Sequence, residues 1–319
     1  MSIASSSAQH GSKITGLGHY QPEKVLTNFD IAKMVDTSDE WIQERTGIVE
    51  RRVVEDETVA DLAVAAARMA LEDAGIEDVD LVVVASTTST DRSPNTAGRV
   101  SQRLGFTSPA IMDVNTACSG FEYAVGIADQ AIRAGSAESA VVIGSETLST
   151  VTDWTDRRTC ILTADGAGAV VLQKSEEPLV SQTVWGSVPS MADAVVIDGD
   201  PEYFSQDGRQ VMRWAFTDAS KQAHKVLDAA GLGLGDIDVF AFHQANLRLV
   251  EPLAKALKAT DEQIVIKDVI ESGNTSAASV PLGLSKYWHR GDLPRGGTAL
   301  LLGFGGGFTF AGQVVKLPE

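Results

Sequence analysis

The chain has 319 residues, 44% of them hydrophobic and 22% charged, which is ordinary globular material able to bury a sizeable core. A formal net charge of −17 sets the surface field against nucleic acid, so an acidic protein partner would need a local basic patch working against that field. Two cysteines, Cys118 and Cys160, are too few for a disulfide framework or a cysteine-based zinc site, and each is judged as a lone thiol.

In chain order, residues 1–12 (MSIASSSAQHGS) are small and polar. With neither a charged start nor an apolar run behind it, this stretch reads as a loose tail and not as a secretory signal. Ser38 then caps a helix over DEWIQERTG, and Thr58 caps one over VADLAVAAARMALEDAG. Residues 80–88 (DLVVVASTT) form a strand, Ile111 to Val114 another, and the latter turns into a helix from about Ser119 to Ala134. Strands follow at 140–148, at the apolar run CIL from Cys160, and at 165–174. The stretch 175–208, punctuated by SEEP, GSVP and DGDP, reads as a linker or surface excursion. Beyond it come a helix over 218–230, a strand over 238–246, a helix from about Leu247, a strand-turn-helix over 265–291, and strands at 298–304 and 305–316.

Alternating strands and helices predict an α/β fold with helices covering the sheets. The order of the first half recurs in the second, which marks an internal duplication with halves at 13–175 and 176–319. No apolar run approaches the ~18 residues a membrane helix needs. A cytoplasmic protein without a membrane or nucleic-acid partner is expected.

Cys118 falls where a strand turns into a helix. There the free N–H groups of the first helical turn favour the thiolate, the species that attacks a carbonyl. Ala117, Ser119 and Gly120 around it leave room for a substrate. A lone cysteine is more often a small buried hydrophobe, and only the elbow position sets this one apart. Cys160, inside its expected strand, reads as structural.

Of five histidines, His10 lies in the tail, His19 in a glycine-rich turn, His224 on an amphipathic helix and His289 at a helix C-terminus. His243 differs, because it follows the run VFAF at the carboxyl end of a strand, the edge where open α/β sheets place ligands. A satisfied core histidine is the competing reading. Asn274, in SGNTSAAS, occupies in the second half the strand-helix turn that Cys118 occupies in the first, so a pseudo-twofold axis brings the two turns together. Plain turn chemistry would also use Gly273 and Asn274. The cluster GFGGGF at 303–308 is followed by a strand, which defeats a dinucleotide reading, but its bare N–H groups suit a developing oxyanion.

Taken together, these strings resemble the β-ketoacyl-[acyl-carrier-protein] synthase III enzymes of the thiolase superfamily. The markers are TSDEWIQERTGI (37–48), ACSGF around Cys118, DRRT (156–159), DGAGAVVL (165–172), HQANLR (243–248), GNTSAAS (273–279) and FGGGF (304–308). The resemblance runs from about residue 13 to 317 and implies a five-layered αβαβα fold, a homodimer, and a Cys-His-Asn site of Cys118, His243 and Asn274. It also implies an oxyanion hole of the Cys118 and Gly306 N–H groups and a cofactor-free condensation of acyl-CoA with malonyl-carrier-protein. Thr37, Trp41, Arg45, Arg157, Gly208, Ala245, Asn246 and Phe304 would line the CoA and pantetheine tunnel, with Trp41 stacking on adenine and Arg157 beside it. Arg213, Arg248 and Lys255 would dock the carrier protein, where a solvated helix face is the bland alternative. No metal is implied.

Three departures bear on the primer. The segment between Trp185 and Arg209 is shorter than in many relatives, and Ser93 and Thr163 stand where many relatives carry bulky apolar residues near the primer pocket. They predict room for a longer or branched acyl chain. Thiolases carry a second cysteine in the C-terminal glycine turn, which this chain lacks, and elongating ketosynthases a second histidine where it has Asn274. A secondary-metabolic relative or a catalytically silent carrier-protein-binding subunit would keep the fold.

Overall fold

The computed structural model describes residues 10–319. Two mixed five-stranded sheets carry the fold. The first comprises β1 (Gly11–Tyr20), β2 (Leu81–Ala85), β3 (Ala110–Val114), β4 (Ser139–Thr147) and β5 (Asp165–Ser175). The second comprises β6 (Val184–Ser187), β7 (Val239–Phe242), β8 (Ile264–Val265), β9 (Thr298–Gly305) and β10 (Thr309–Lys316). Their spatial orders are β1-β5-β4-β2-β3 and β6-β10-β9-β7-β8. Each strand of the first sheet thus has its counterpart five strands on, with parallel and antiparallel pairings repeated position for position. The duplication is therefore complete at the level of sheet topology.

Away from the edge strands β3, β6 and β8, both faces of each sheet are buried, and strand periodicity divides the side chains between layers. In β2, Leu81, Val83 and Ala85 join the central core, while Val82 and Val84 face outward to α1 (Val59–Ala74), with its Leu62, Ala66 and Ala70. In β7, Val239 and Ala241 point to the same central core, while Phe240 and Phe242 meet α3 (Ser220–Ala230) and α4 (Leu247–Ala256) on the far side. The central layer holds α2 (Gly120–Arg133) and α5 (Ser279–Arg290), one from each half. Phe121, Val125 and Ile132 of α2 and Val280 and Leu284 of α5 share one core with strands of both sheets. The layers run αβαβα, the thiolase arrangement. Helix α5 also lies hard against the first sheet: a Cβ on Gly168 would fall 2.2 Å from the backbone N of Leu282.

Four expectations are corrected. Most of the tail, residues 1–9, lies outside the described residues, but β1 already begins at Gly11, where the Ser12 hydroxyl donates to Asp129 Oδ1 at 2.6 Å. His19 belongs to β1, not to a turn, and its Nδ1 pairs with Ser285 Oγ at 2.9 Å. The run CIL forms turns in place of a strand, because the N–H groups of Cys160 and Leu162 are spent on the carbonyls of Asp156 and Thr159. Within 175–208, β6 closes the second sheet, and a hairpin pairs Val195–Gly199 with Glu202–Gln206. That hairpin proves to be a wall of the site.

Candidate active site

A cavity of about 610 Å³ opens between the two halves, and Cys118, Asn274 and Gly306 line it together. Cys118 lies in a single 3-10 turn, Ala117–Ser119, that leads into α2. Ala117 before it takes the left-handed conformation at φ 46°. In the second half Ser276 repeats that conformation at φ 47°, in the 3-10 turn Ser276–Ala278 that leads into α5. Residue for residue, NTACSG (115–120) therefore coincides with NTSAAS (274–279). Ala277, not Asn274, is the internal counterpart of Cys118, and Asn274 is matched by Asn115. Turn meets turn, as the duplication predicts.

The turns support one another. The Cys118 thiol lies 3.5 Å from Ser276 Oγ. Asn274 is held at both backbone ends, its N–H donating to Leu162 O and its O accepting from Ala164 N, and its Oδ1 accepts the Ser276 N–H at 2.9 Å. Asn274 Nδ2 then remains as a donor without a partner among the described residues. His243 sits 3% exposed at the end of β7. Its Nδ1 pairs with Ser279 Oγ at 2.8 Å, and that same hydroxyl accepts the Gln244 N–H. The Ser279 hydroxyl can give its proton to Nδ1, and in that tautomer the ring hydrogen sits on Nε2. Phe304 meets the imidazole edge to face at 5.9 Å, and the next residue, Gly305, backs onto Cys118. Strand β9 thus carries one contact to the histidine and one to the cysteine.

Burial decides the protonation states. Desolvation pushes the Cys118 thiol up to about 11, with Glu146 adding to the effect. The Ser276 hydroxyl and the N–H groups of Gly306 and Cys118 pull the other way and lose. Burial thus opposes the thiolate that the helix N-terminus was expected to favour. Desolvation likewise holds His243 at about 3, a neutral imidazole. Glu146 is itself fully buried and raised by desolvation, against hydrogen bonds from Thr88, Thr87, Ser276 and Ala277. Glu122, four residues after Cys118, is also fully buried, has no hydrogen-bond partner for either oxygen among the described residues, and is raised to about 8 by desolvation. Burial thus favours its neutral form.

The other residues singled out from the sequence fall in three places. Arg45 and Arg157 both stand over the Trp41 ring, 5.5 and 5.0 Å from its centroid. Thr37 Oγ1 and Asn246 Oδ1 are buried atoms without partners among the described residues. Ala245 is half-buried, Gly208 begins an exposed helical turn, and Phe304 is buried against Trp214 and His243. Arg213, Arg248 and Lys255 are exposed and make no ion pair among the described residues. The expected primer-pocket pair lies off the cavity wall of the single chain. Ser93 is exposed, and Thr163 is fully buried with its hydroxyl on Thr152 Oγ1 at 2.7 Å; neither lines the cavity. Thr163 acts instead as the backbone bridge that seats Asn274. The cavity wall comes from Thr87, Thr90, Arg92 and Leu148 on one side and Val195, Ile197 and Phe204 of the hairpin on the other.

Sequence reasoning passed over Ser276, Ser279, Gln244, Gly305 and this hairpin. The serines stand inside GNTSAAS, and aligning the duplicated turns residue by residue would have exposed them. Gln244 binds the carbonyls of Phe242 and Ile266 and the N–H of Val269, tying the histidine strand to the segment before Asn274.

Family models for 3-oxoacyl-[acyl-carrier-protein] synthase III match residues 112–189, and for its C-terminal part residues 227–317. A β-ketoacyl-[acyl-carrier-protein] synthase III of Streptomyces coelicolor is 53% identical over 97% of this chain and 99% of its own length. The chain belongs to the β-ketoacyl-[acyl-carrier-protein] synthase III family. A Streptomyces avermitilis synthase III is 51% identical, covering 97% of this chain and 100% of that one. Among solved structures, the priming β-ketosynthase of the R1128 polyketide biosynthetic pathway superposes with a TM-score of 0.96 at 34% identity, over 100% of this chain and 99% of that one. A synthase III from Pseudomonas aeruginosa gives 0.91 at 38%, over 97% and 99%. This synthase III is accordingly a condensing acyltransferase of fatty acid synthesis. None of its described helices is long and apolar enough to cross a membrane.

Proposed function

We propose that the enzyme condenses a primer acyl-CoA with malonyl-[acyl-carrier-protein], releasing CoA and carbon dioxide and giving 3-oxoacyl-[acyl-carrier-protein], the step that initiates type II fatty acid synthesis. The observation that carries this reading is the cavity shared by Cys118, Asn274 and Gly306, with His243 hydrogen-bonded to Ser279, at the end of the turn that begins with Asn274. Cys118 sulfur attacks the primer thioester, the tetrahedral oxyanion rests on the N–H groups of Cys118 and Gly306, and CoA leaves with the thiol proton. Malonyl-carrier-protein then enters. Two uncharged donors, His243 Nε2–H and Asn274 Nδ2–H, meet its thioester carbonyl and stabilise the enolate as carbon dioxide departs. The enolate carbon attacks the acyl-Cys118 carbonyl and the sulfur is released. A neutral imidazole suits this role, since it donates a hydrogen bond without surrendering a proton to the enolate.

On this reading no cofactor takes part and CoA arrives as substrate. Trp41 and the two arginines over its ring, with the unspent Thr37 and Asn246 oxygens, would receive CoA and its pantetheine arm, while Arg213, Arg248 and Lys255 would receive the acidic carrier protein. The enzyme would work in the cytoplasm as a homodimer joined along β3, the edge strand that exposes Ile111 and Met112. Nucleic acid and membranes have no part in it. The likeness to a polyketide priming ketosynthase favours a second reading, priming in secondary metabolism with the same three residues. A silent subunit would have lost one of them, and all three are present.

The deciding experiment supplies malonyl-carrier-protein with acetyl-, isobutyryl- and longer acyl-CoA and measures 3-oxoacyl product and carbon dioxide together. His243→Ala and Asn274→Ala should slow decarboxylation by about 100-fold while acyl-Cys118, read by intact mass, still forms. Loss of acylation and decarboxylation in equal measure would refute the assignment.

A further inference from the structure

The internal repeat supplies a carboxamide that the condensation above does not use. Asn115 is the structural counterpart of Asn274, with the same left-handed residue two positions on and the same bond from its Oδ1 to that residue's N–H, 3.4 Å at Ala117 against 2.9 Å at Ser276. Both asparagines line the same cavity. In each, the turn consumes the carbonyl oxygen and leaves the amide nitrogen, which can only donate. Asn115 is exposed, and its Nδ2, open to water, has no protein partner among the described residues.

The surroundings of this donor are polar. Thr87, Thr90 and Arg92 line the cavity with it; of the larger apolar side chains there, Val195, Ile197 and Phe204 belong to the hairpin and Leu148 to the turn after β4. A plain hydrocarbon chain lying against Asn115 would strip water from the amide and offer nothing in return. A carboxylate is disfavoured too, because Glu202 lines the same cavity as Arg92 and opposes its attraction for an anion. An uncharged oxygen acceptor satisfies both conditions. We infer that Asn115 is a specificity-determining residue of the primer pocket, donating from Nδ2 to an oxygen on the acyl chain, so that the enzyme takes an uncharged hydroxyacyl or oxoacyl primer ahead of a hydrocarbon primer of equal length. The inference rests on the acyl-Cys118 reading and names the substrate class it would serve.

The test compares butyryl-CoA with each enantiomer of 3-hydroxybutyryl-CoA in single-turnover acylation of the full-length enzyme, followed by intact mass. The unaltered enzyme should favour one hydroxylated primer by roughly three- to tenfold, the worth of one net hydrogen bond. Asn115→Asp keeps the acceptor that the turn needs and removes the donor, so the ratio should fall to about one or below. Asn115→Leu should do the same, and unchanged thermal unfolding of the Asp variant would show that the turn survives. A ratio near one in the unaltered enzyme, or one that the Asp variant leaves intact, overturns the inference while acylation itself stands. Failure of butyryl-, hydroxybutyryl- and acetyl-CoA alike to modify Cys118 would overturn the acyl-enzyme reading and this inference with it.

Discussion

At the scale of single residues, the site keeps its charge-bearing groups uncharged. Cys118 and His243 are both desolvated, one raised to about 11 and the other lowered to about 3, so the resting pair is thiol and imidazole, not thiolate and imidazolium. For an acid whose pKa lies above the working pH, the reactive anion is a minority that grows about tenfold for each pH unit. The rate of Cys118 alkylation by iodoacetamide, followed by site-resolved mass spectrometry, should therefore keep rising from pH 6 through pH 9. A thiolate stabilised mainly by a helix N-terminus would reach a plateau near neutrality, and such a plateau would contradict the burial argument. The strand-to-helix position of Cys118 was legible in the sequence because it depends on local periodicity. Its protonation state was not, because the groups that bury it lie far along the chain: Gly305 and Gly306 behind the sulfur and Ser276 beside it.

At the scale of elements, two matched turns and one strand end make the site. Gly305 closes β9 with its Cα against Cys118, and a Cβ there would lie 2.7 Å from both Cβ and Sγ of the cysteine. The backbone of Gly305 is extended, so alanine brings no backbone strain of its own, but its Cβ would press on both Cβ and Sγ of Cys118 and displace the cysteine. Gly305→Ala should lose about 1–3 kcal/mol of stability and acylate about 100-fold more slowly, the order of loss expected when a nucleophile is moved by about 1 Å. Stopped-flow release of CoA checks the rate, and unimpaired release would show that the contact relaxes without consequence. Elements with strong periodicity were readable: α1 and α2 with their apolar stripes, and the buried runs of β2, β7 and β9. The hairpin was not. Its strands, Val195–Gly199 and Glu202–Gln206, are short, half exposed and interrupted by DGDP, so they look like punctuation until their pairing is seen. The cavity's hairpin wall went unread for the same reason: Val195, Ile197 and Phe204 line the cavity of the single chain, and Ser93 and Thr163 do not.

At the scale of the molecule, the duplication leaves one unsolved edge. Each sheet ends in a parallel strand, β3 in the first and β8 in the second, but the two ends differ. β8 is two residues long and half-buried, whereas β3 runs for five residues and exposes Ile111 at 44% and Met112 at 36%. An edge of that length with apolar side chains on both faces invites strand-to-strand pairing, and a monomeric protein would blunt it with charge or proline. Asp113 does not serve that purpose, since its carboxylate is occupied by Asn95, Thr96 and Ala97. Two copies meeting edge to edge about a twofold axis would cover the strand and bring each copy's exposed Ser93 loop toward the partner, next to the cavity that Arg92 lines. Sedimentation equilibrium should then give twice the mass of one chain. Ile111→Lys combined with Met112→Glu should give single chains with strongly reduced acylation, because the open side of the primer cavity would lose its cover. Dimers that survive this double substitution with full activity would place the subunit contact elsewhere on the molecule.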